Sequence, residues 1–383
     1  MNLEKSPPQR LHLHYLDGLR GIAALYVVAV HIEPSTREAL PVFWLLFEKT
    51  LRYGAFSVVI FLVLSGYVLM LPVVRSQNSS ISGSLLKYIK RRARRILPPY
   101  YAALIGCLLL AFIILLLEEF TSFKWDKVAG EGPFSPYFNF IDVLTHLLLI
   151  HNFSSSTYLT INPPMWSVAT EWQLYFLFPL FLLPIWRSFG LLSVVFAAFI
   201  VGILPFYILH DFSMASSSWF IGLFTLGMAA AEIGLSQKPK LISLRNSLPW
   251  GSLAVILTPI AFVTEWKKLE LPIWIGQSVF GLVSACLFIY CTRFVVEGKK
   301  LPHVLSILEH PWATTLGAFS YSLYLTHGPV ITIIRYLLFG LNMNPFMFAA
   351  ASYSIGIPAS LVFAYWFYLI FEKPFISSPS SRR

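Results

Sequence analysis

Two side chains that a lipid interior makes expensive, Arg20 and His31, stand eleven residues apart in one apolar run that opens at Asp17-Gly-Leu-Arg20. At 3.6 residues per turn this spacing is close to three whole turns, so a helix carries both on one face, about 16 Å apart along its axis. A guanidinium at one end suits a phosphate, and an imidazole in the apolar middle suits proton transfer at a reacting hydroxyl. The plainer alternative makes Arg20 a border cation and His31 a hydrogen bonder between helices. Asp17 lies at the depth of Arg20 and is better placed to pair with an arginine than to reach His31.

A second cluster is cationic. Lys87, Lys90, Arg91, Arg92, Arg94 and Arg95 crowd the approach to Pro98-Pro99. Juxtamembrane basic runs commonly fix orientation or attract lipid headgroups, but six cations so close together exceed that need. Helical spacing groups Arg92 with Arg95, and Arg91 with Arg94 and Arg95, which suits convergence on a phosphorylated ligand from the cytosol.

Further polar groups sit where apolar ones are cheaper. Asn162-Pro163-Pro164-Met-Trp166-Ser167 opens a helix on which Ser167, Thr170, Glu171 and Tyr175 share a side, with Glu171 one to two turns inside the border. Ser320, Tyr324 and His327 form another stripe, followed by a backbone-bending Gly328-Pro329. Tyr321 reads as packing, Ser65-Gly66 as a place of close helix approach, and Glu372 as a partner for the arginine cluster; Arg335 and Glu232 read as structural.

The elements that position these groups follow from composition. Of 383 residues, 57% are hydrophobic and only 12% charged, with 33 Phe, 18 Tyr and 11 Trp. That excludes an ordinary soluble enzyme and predicts an all-α, polytopic transmembrane helix bundle. Apolar runs long enough to span begin near Leu19, Ala55, Leu97, Trp166, Gly190, Trp219, Leu248, Leu271, Thr314 and Phe346, which gives about ten spans. A weaker element over 138–153 holds Asp142, His146 and His151, and crossing there would give eleven. If it does not cross, most lysines and arginines fall on one side, which the positive-inside tendency makes cytoplasmic together with both termini. The expected organisation is a cytoplasmic tail over 1–15, one transmembrane domain over 16–375 and a second tail over 376–383. The first apolar run reads as a signal anchor without a cleavage site.

Other chemistries lack their residues. Cys107, Cys286 and Cys291 all lie in apolar stretches, so no disulfide framework or Cys-based zinc site is expected, and no metal ligand pair, phosphate loop or nucleophile elbow is present. The net charge of +10 belongs to membrane loops, and no nucleic-acid partner is expected. Asn78-Ser-Ser80 and Asn152-Phe-Ser154 are glycosylation sequons on opposite expected sides.

Taken in order, Leu16-Asp-Gly-Leu-Arg20-Gly-Ile-Ala-Ala with His31, Phe61-Leu-Val-Leu-Ser65-Gly-Tyr, Arg92-Ala-Arg-Arg95-Ile-Leu-Pro98, Trp166-Ser-Val-Ala-Thr-Glu171 and Ser320-Tyr-Ser-Leu-Tyr-Leu-Thr-His327 resemble the integral-membrane acyltransferase family called acyltransferase 3. The resemblance runs from about residue 15 to 375. It implies transfer of an acyl group, usually acetyl, from coenzyme A to a hydroxyl of a sugar, polysaccharide, lipid or small molecule, and it implies that Arg20, His31, Arg92 and Arg95 are required. Some relatives carry an extra esterase-like domain that finishes the transfer; without one, acylation is expected within the membrane domain or with a partner.

On this footing Arg20, Arg91, Arg92 and Arg95 are expected to hold the acyl-CoA donor, with no cofactor bound permanently. His31 and Glu171 are the expected catalytic pair, with His31 as general base or as acyl carrier and Glu171 orienting it. Ser65, Trp166, Tyr324 and His327 are expected to contact the hydroxyl-bearing acceptor. The protein is expected in the plasma membrane or an endomembrane, among bilayer lipids, with no oligomeric state implied. A transporter or flippase for a polar substrate is the competing class, and a receptor or scaffold the third.

Overall fold

The structure is a computed structural model that describes residues 12–32, 40–76, 80–81, 83–125 and 133–376. Most of both expected tails, and Asn78 of the first sequon, lie outside the described residues. Among the described residues every regular element is helical. In chain order the elements are α1 (His14–His31), α2 (Val42–Leu51), α3 (Ala55–Arg75), α4 (Leu85–Phe120) and α5 (Phe140–Leu147). There follow α6 (Met165–Phe189), α7 (Leu191–Ile208), α8 (His210–Ser216), α9 (Phe220–Leu235), α10 (Pro239–Ser247) and α11 (Trp250–Thr264). The last are α12 (Ile273–Val296), α13 (Pro311–Ala318), α14 (Ser320–Phe339) and α15 (Pro345–Phe375).

Six helical stretches are long and apolar enough to cross a membrane, or up to eight if the bent pairs α8–α9 and α10–α11 each count as one span. The chain is a multi-pass membrane protein with fewer such spans among the described residues than the ten expected. The shortfall falls on the runs that begin near Leu19 and Thr314. Those became α1, which carries Asp17, Arg20 and His31, and the broken pair α13–α14, which carries Ser320, Tyr324 and His327. These two elements carry many of the polar candidates, and much of each is buried within the bundle. The 138–153 element is an eight-residue helix and a short 3₁₀ turn, far below the length of a span.

Core contacts are set by close backbone approach. α3 runs along α9 with Gly66 and Gly227 facing the opposite backbone. A Cβ on Gly227 would lie 1.8 Å from the Val63 carbonyl oxygen, so only glycine allows the two axes to come so near. α1 is held in the same way, because a Cβ on Gly317 would lie 2.0 Å from the Asp17 carbonyl oxygen. Large apolar side chains such as Leu109, Phe112, Leu192, Phe196 and Val255 point outward, as a lipid-facing surface requires. On α7 only Val194, Ala198 and Gly202 are buried, one stripe at four-residue spacing that rests against the start of α9.

α4 is a single helix of 36 residues, capped at its start by Ser84. At 1.5 Å per residue it is much longer than a bilayer core is thick, so the cationic first turns project beyond the apolar part as one rigid rod. The arginine cluster is therefore helical, continuous with a span, rather than part of a loop.

Candidate functional site

Two cavities open inside the bundle, and between them they take all the candidate residues except Arg91 and His327. The first is lined by Arg20 of α1, Ser65 of α3, Arg92 and Arg95 of α4, Glu171 and Tyr175 of α6, and Ser320, Tyr321 and Tyr324 of α14, with Glu372 at the end of α15. The second is lined by His31, Arg52, Trp166 and Tyr324 among apolar side chains from α1, α3 and the start of α6. Tyr324 belongs to both, and its hydroxyl meets Ser167 Oγ at 2.7 Å.

The first cavity lies at the N-terminal end of α1 and the C-terminal end of α15. It is a cation-rich chamber with three guanidinium groups and two carboxylates. Both carboxylates are pinned by neutral donors. Glu171 Oε1 accepts from Ser65 Oγ and, at 2.7 Å, from Tyr175 Oη. Glu372 Oε2 accepts from the Ser322 backbone N–H at 3.1 Å and from its hydroxyl at 2.5 Å. No arginine lies within 4.0 Å of either carboxylate among the described residues, so Glu372 does not form the ion pair expected of it. Arg92 instead lies over the rings of Tyr88 and Tyr175, 5.8 Å from each centroid, with its Nε buried and unbonded. Tyr321, expected to pack only, donates to the Ile96 carbonyl at 3.1 Å and also faces the chamber. Arg91 is exposed on another side of α4 and does not line this cavity.

The second cavity lies at the opposite end of α1. His31 is the last residue of that helix, so the imidazole sits in its terminal turn. Its Nδ1 is 2.9 Å from the Val27 carbonyl oxygen and 3.3 Å from His327 Nε2. His327 Nδ1 is in turn 3.0 Å from the Leu323 carbonyl oxygen, and the side chain is fully buried. A carbonyl only accepts, so each Nδ1 carries a proton. His327 Nε2 is then a lone pair that shares the His31 Nδ1–H, and His31 Nε2 is left as the basic nitrogen. Asn162 steadies this stretch of α14 by donating from Nδ2 to the carbonyl of Leu325, the residue that follows Tyr324, at 2.8 Å.

These placements redistribute the expected roles. Arg20 and His31 share a helix but open onto different cavities, with Tyr324 as the shared wall. Glu171 is bonded to Ser65 and Tyr175, and the side chain that meets the His31 ring is His327. His327 is therefore held behind His31 rather than lining either cavity. Ser65 belongs to the cationic chamber and Trp166 to the second cavity. Thr170 turns away to Asn152 and Ser216, and Asp17 lies 3.8 Å from His12 rather than beside an arginine. Glu232, read as isolated, bonds Trp186 and forms an ion pair with Lys238 at 3.1 Å. Asn152 of the second sequon is fully buried against Thr170 and Gln173 and cannot report topology by glycosylation. Arg52 was missed; its one sequence signal was a cation just before the apolar run of α3.

The model of a family described as an acyltransferase domain matches residues 13–369. The chain is 24% identical over 353 residues to the O-acetyltransferase OatA of Staphylococcus aureus, covering 87% of this chain and 53% of that protein. It is 22% identical over 356 residues to the peptidoglycan O-acetyltransferase OatA of Listeria monocytogenes, covering 85% and 50%. It is 24% identical over 337 residues to the putative peptidoglycan O-acetyltransferase YrhL of Bacillus subtilis, covering 83% and 48%. The chain thus spans about half the length of these curated relatives. No solved structure gives a significant match.

Proposed function

The chain belongs to the acyltransferase 3 family, and on that premise we propose that it is a membrane O-acetyltransferase that takes acetyl-CoA as donor and a hydroxyl-bearing carbohydrate as acceptor. One observation carries this reading: a cation-rich chamber and an imidazole-bearing cavity meet at a single residue, Tyr324. Coenzyme A is a phosphate-rich head on a long thin arm that ends in a thioester. Arg20, Arg92 and Arg95 suit the head, and the arm points its thioester toward the Tyr324 wall. The positive-inside tendency puts the arginine end in the cytosol and His31 toward the far face.

The acceptor hydroxyl then approaches His31 from the second cavity. As its oxygen attacks the thioester carbonyl, His31 Nε2 takes the hydroxyl proton. The C–O bond forms, the C–S bond breaks, and the leaving thiolate takes the proton back from the imidazolium, so donor and acceptor yield ester and free coenzyme A. His327 keeps His31 in the tautomer this needs. The relatives named as peptidoglycan O-acetyltransferases support a cell-wall glycan as the acceptor.

The test is direct. Purified protein in lipid nanodiscs is supplied with acetyl-CoA and a soluble glycan, and free thiol and ester are measured together. Wild type is expected to release both in equal amounts, and His31→Ala to lose both while keeping its thermal transition. Full transfer by His31→Ala would overturn the assignment, and movement of an unmodified solute without thiol release would favour a transporter.

A further inference from the structure

The second cavity has a charge pattern unlike that of the first. Its lining holds no carboxylate, and its one permanently charged side chain is Arg52, with His31 and Tyr324 as the other ionisable groups. The Arg52 side chain is exposed and lies 5.6 Å from the Tyr53 ring centroid, with one N–H donated to the Glu265 backbone carbonyl at 3.2 Å. No carboxylate lies within 4.0 Å of it among the described residues. The Glu265 carboxylate lies beside Gly276, where a Cβ would meet its Oε1 at 2.6 Å, and feels the Arg52 charge without bonding to it. A guanidinium has five N–H donors, so this one is anchored by one bond and retains donors for a ligand.

The remaining walls are Trp166, Tyr324, two prolines and aliphatic side chains. An apolar, partly aromatic cleft with a few polar groups is the usual form of a small-molecule site. The Arg52 turn is also fixed relative to His31. A Cβ on Gly54 would lie 2.8 Å from Val30 Cγ1, so the turn rests on the residue that precedes the imidazole. The backbone that carries Arg52 is therefore packed against the end of α1, and cation and base line one cleft.

We propose that this cavity is a binding site for acidic sugars, in which Arg52 clamps an anionic group, Trp166 carries the apolar face of the ring, and a hydroxyl of the same molecule is delivered to His31. The proposal rests on the acyl-transfer reading and narrows its acceptor to carbohydrates that bear a carboxylate or a phosphate ester. The first chamber recruits phosphates for the donor; the second recruits a separate anion for the acceptor.

Two measurements keep the proposal and the reading apart. Calorimetric binding to protein in nanodiscs needs no turnover and uses methyl glucoside, methyl glucuronoside and glucose 6-phosphate. Acetyl transfer to the same three probes reports chemistry. Wild type is expected to bind at least one charged sugar about tenfold tighter than the neutral one, as for a hydrogen-bonded charge pair. The better of the two charged probes identifies carboxylate or phosphate as the natural group. In Arg52→Gln the preference is expected to collapse toward parity through KM rather than kcat, and Arg52→Lys is expected to restore part of it. Equal binding of all three sugars by wild type, or equal weakening of all three in Arg52→Gln, overturns the proposal. Charge-selective binding without thiol release would sustain the site and overturn the acyl-transfer reading instead.

Discussion

His31 Nδ1 and His327 Nε2 lie 3.3 Å apart although 296 residues separate them in sequence. The rings are tilted by 57°, and each Nδ1 also faces the carbonyl oxygen four residues earlier on its own helix. This relay fixes His31 with a basic Nε2, the form that accepts a proton from a hydroxyl. His31→Ala is expected to lower acetyl transfer by about 10²- to 10⁴-fold, the usual worth of a positioned acid–base group. His327→Ala should cost about tenfold in kcat with little change in KM and should displace the pH–rate profile, because the tautomer is no longer set. His327→Gln offers an oxygen acceptor in place of Nε2 and should recover much of the rate. Equal loss in the Ala and Gln variants, with an unmoved pH profile, would reduce His327 to packing.

The arginines of α4 separate by face. Arg92 and Arg95 line the cationic chamber, while Arg91 and Arg94 are exposed beyond it. Arg92→Gln and Arg95→Gln are each expected to raise the KM for acetyl-CoA about tenfold, as loss of a charge-assisted phosphate contact does. Arg91→Gln and Arg94→Gln should stay within about twofold, since surface charges act weakly and through screening. A steady-state titration of acetyl-CoA across the four variants checks this. An equal rise in all four would mean that the cluster acts as a diffuse cationic surface.

Much of this organisation was legible in the amino-acid order, and the exceptions have physical reasons. Long apolar runs such as Ala55–Arg75 and Ile273–Val296 announced themselves, because composition alone decides whether a helix suits lipid. α1 and α14 were read as spans like the others, but their polar residues keep them below the apolarity of the long spans, and much of each is buried in the bundle. The stripe linking Arg20 to His31 was legible as helical spacing, but a shared face does not imply a shared cavity. The wall between the cavities is Tyr324, supplied by a distant helix and bonded to Ser167. Helical periodicity also gave no hint that His327 would meet His31, since no local spacing encodes a contact between α1 and α14. Arg52 was hidden for a different reason: on the chain it is one more charge at the edge of an apolar run, and only the packing of its turn onto Val30 brings it to the second cavity.

Backbone contact between α3 and α9 yields a stability prediction with an internal control. Gly227→Ala places a Cβ 1.8 Å from a backbone oxygen that has no rotamer to yield, so the helices must part. A loss of about 1–3 kcal/mol is expected, in the range of core overpacking. Gly106 on α4 has nothing within 4 Å of a built Cβ. Gly106→Ala is therefore expected to be neutral or to stabilise by up to about 1 kcal/mol through helix propensity. Thermal unfolding of both variants in the same nanodiscs reads the contrast, and a Gly227→Ala transition as high as that of Gly106→Ala would refute the close approach.

Acid should loosen the support of α6. His146 and His151 stack at 3.8 Å between ring centroids, 9° from parallel, and both are fully buried. They hold the 138–153 segment in place: Tyr100 Oη donates to the His146 carbonyl at 2.9 Å, and Asn152 donates to Thr170 Oγ1 on α6 at 3.0 Å. Burial, and then the neighbouring His146, pushes the His151 imidazole down to about 2, and burial lowers His146 as well. An unfolded histidine titrates near about 6.5. Between those values the unfolded segment binds protons that the folded one refuses, so the stabilisation is intact above about pH 6.5 and is lost as the pH falls below it. The slope is expected to reach at most about 1.4 kcal/mol per pH unit for each histidine that stays neutral. Hydrogen exchange of the Phe140–Phe153 segment between about pH 7.5 and 5.5, corrected for intrinsic rates, should show rising exposure in wild type and a flat response in His146→Phe/His151→Phe. Exposure that rises equally in both proteins would assign the acid sensitivity to another part of the bundle.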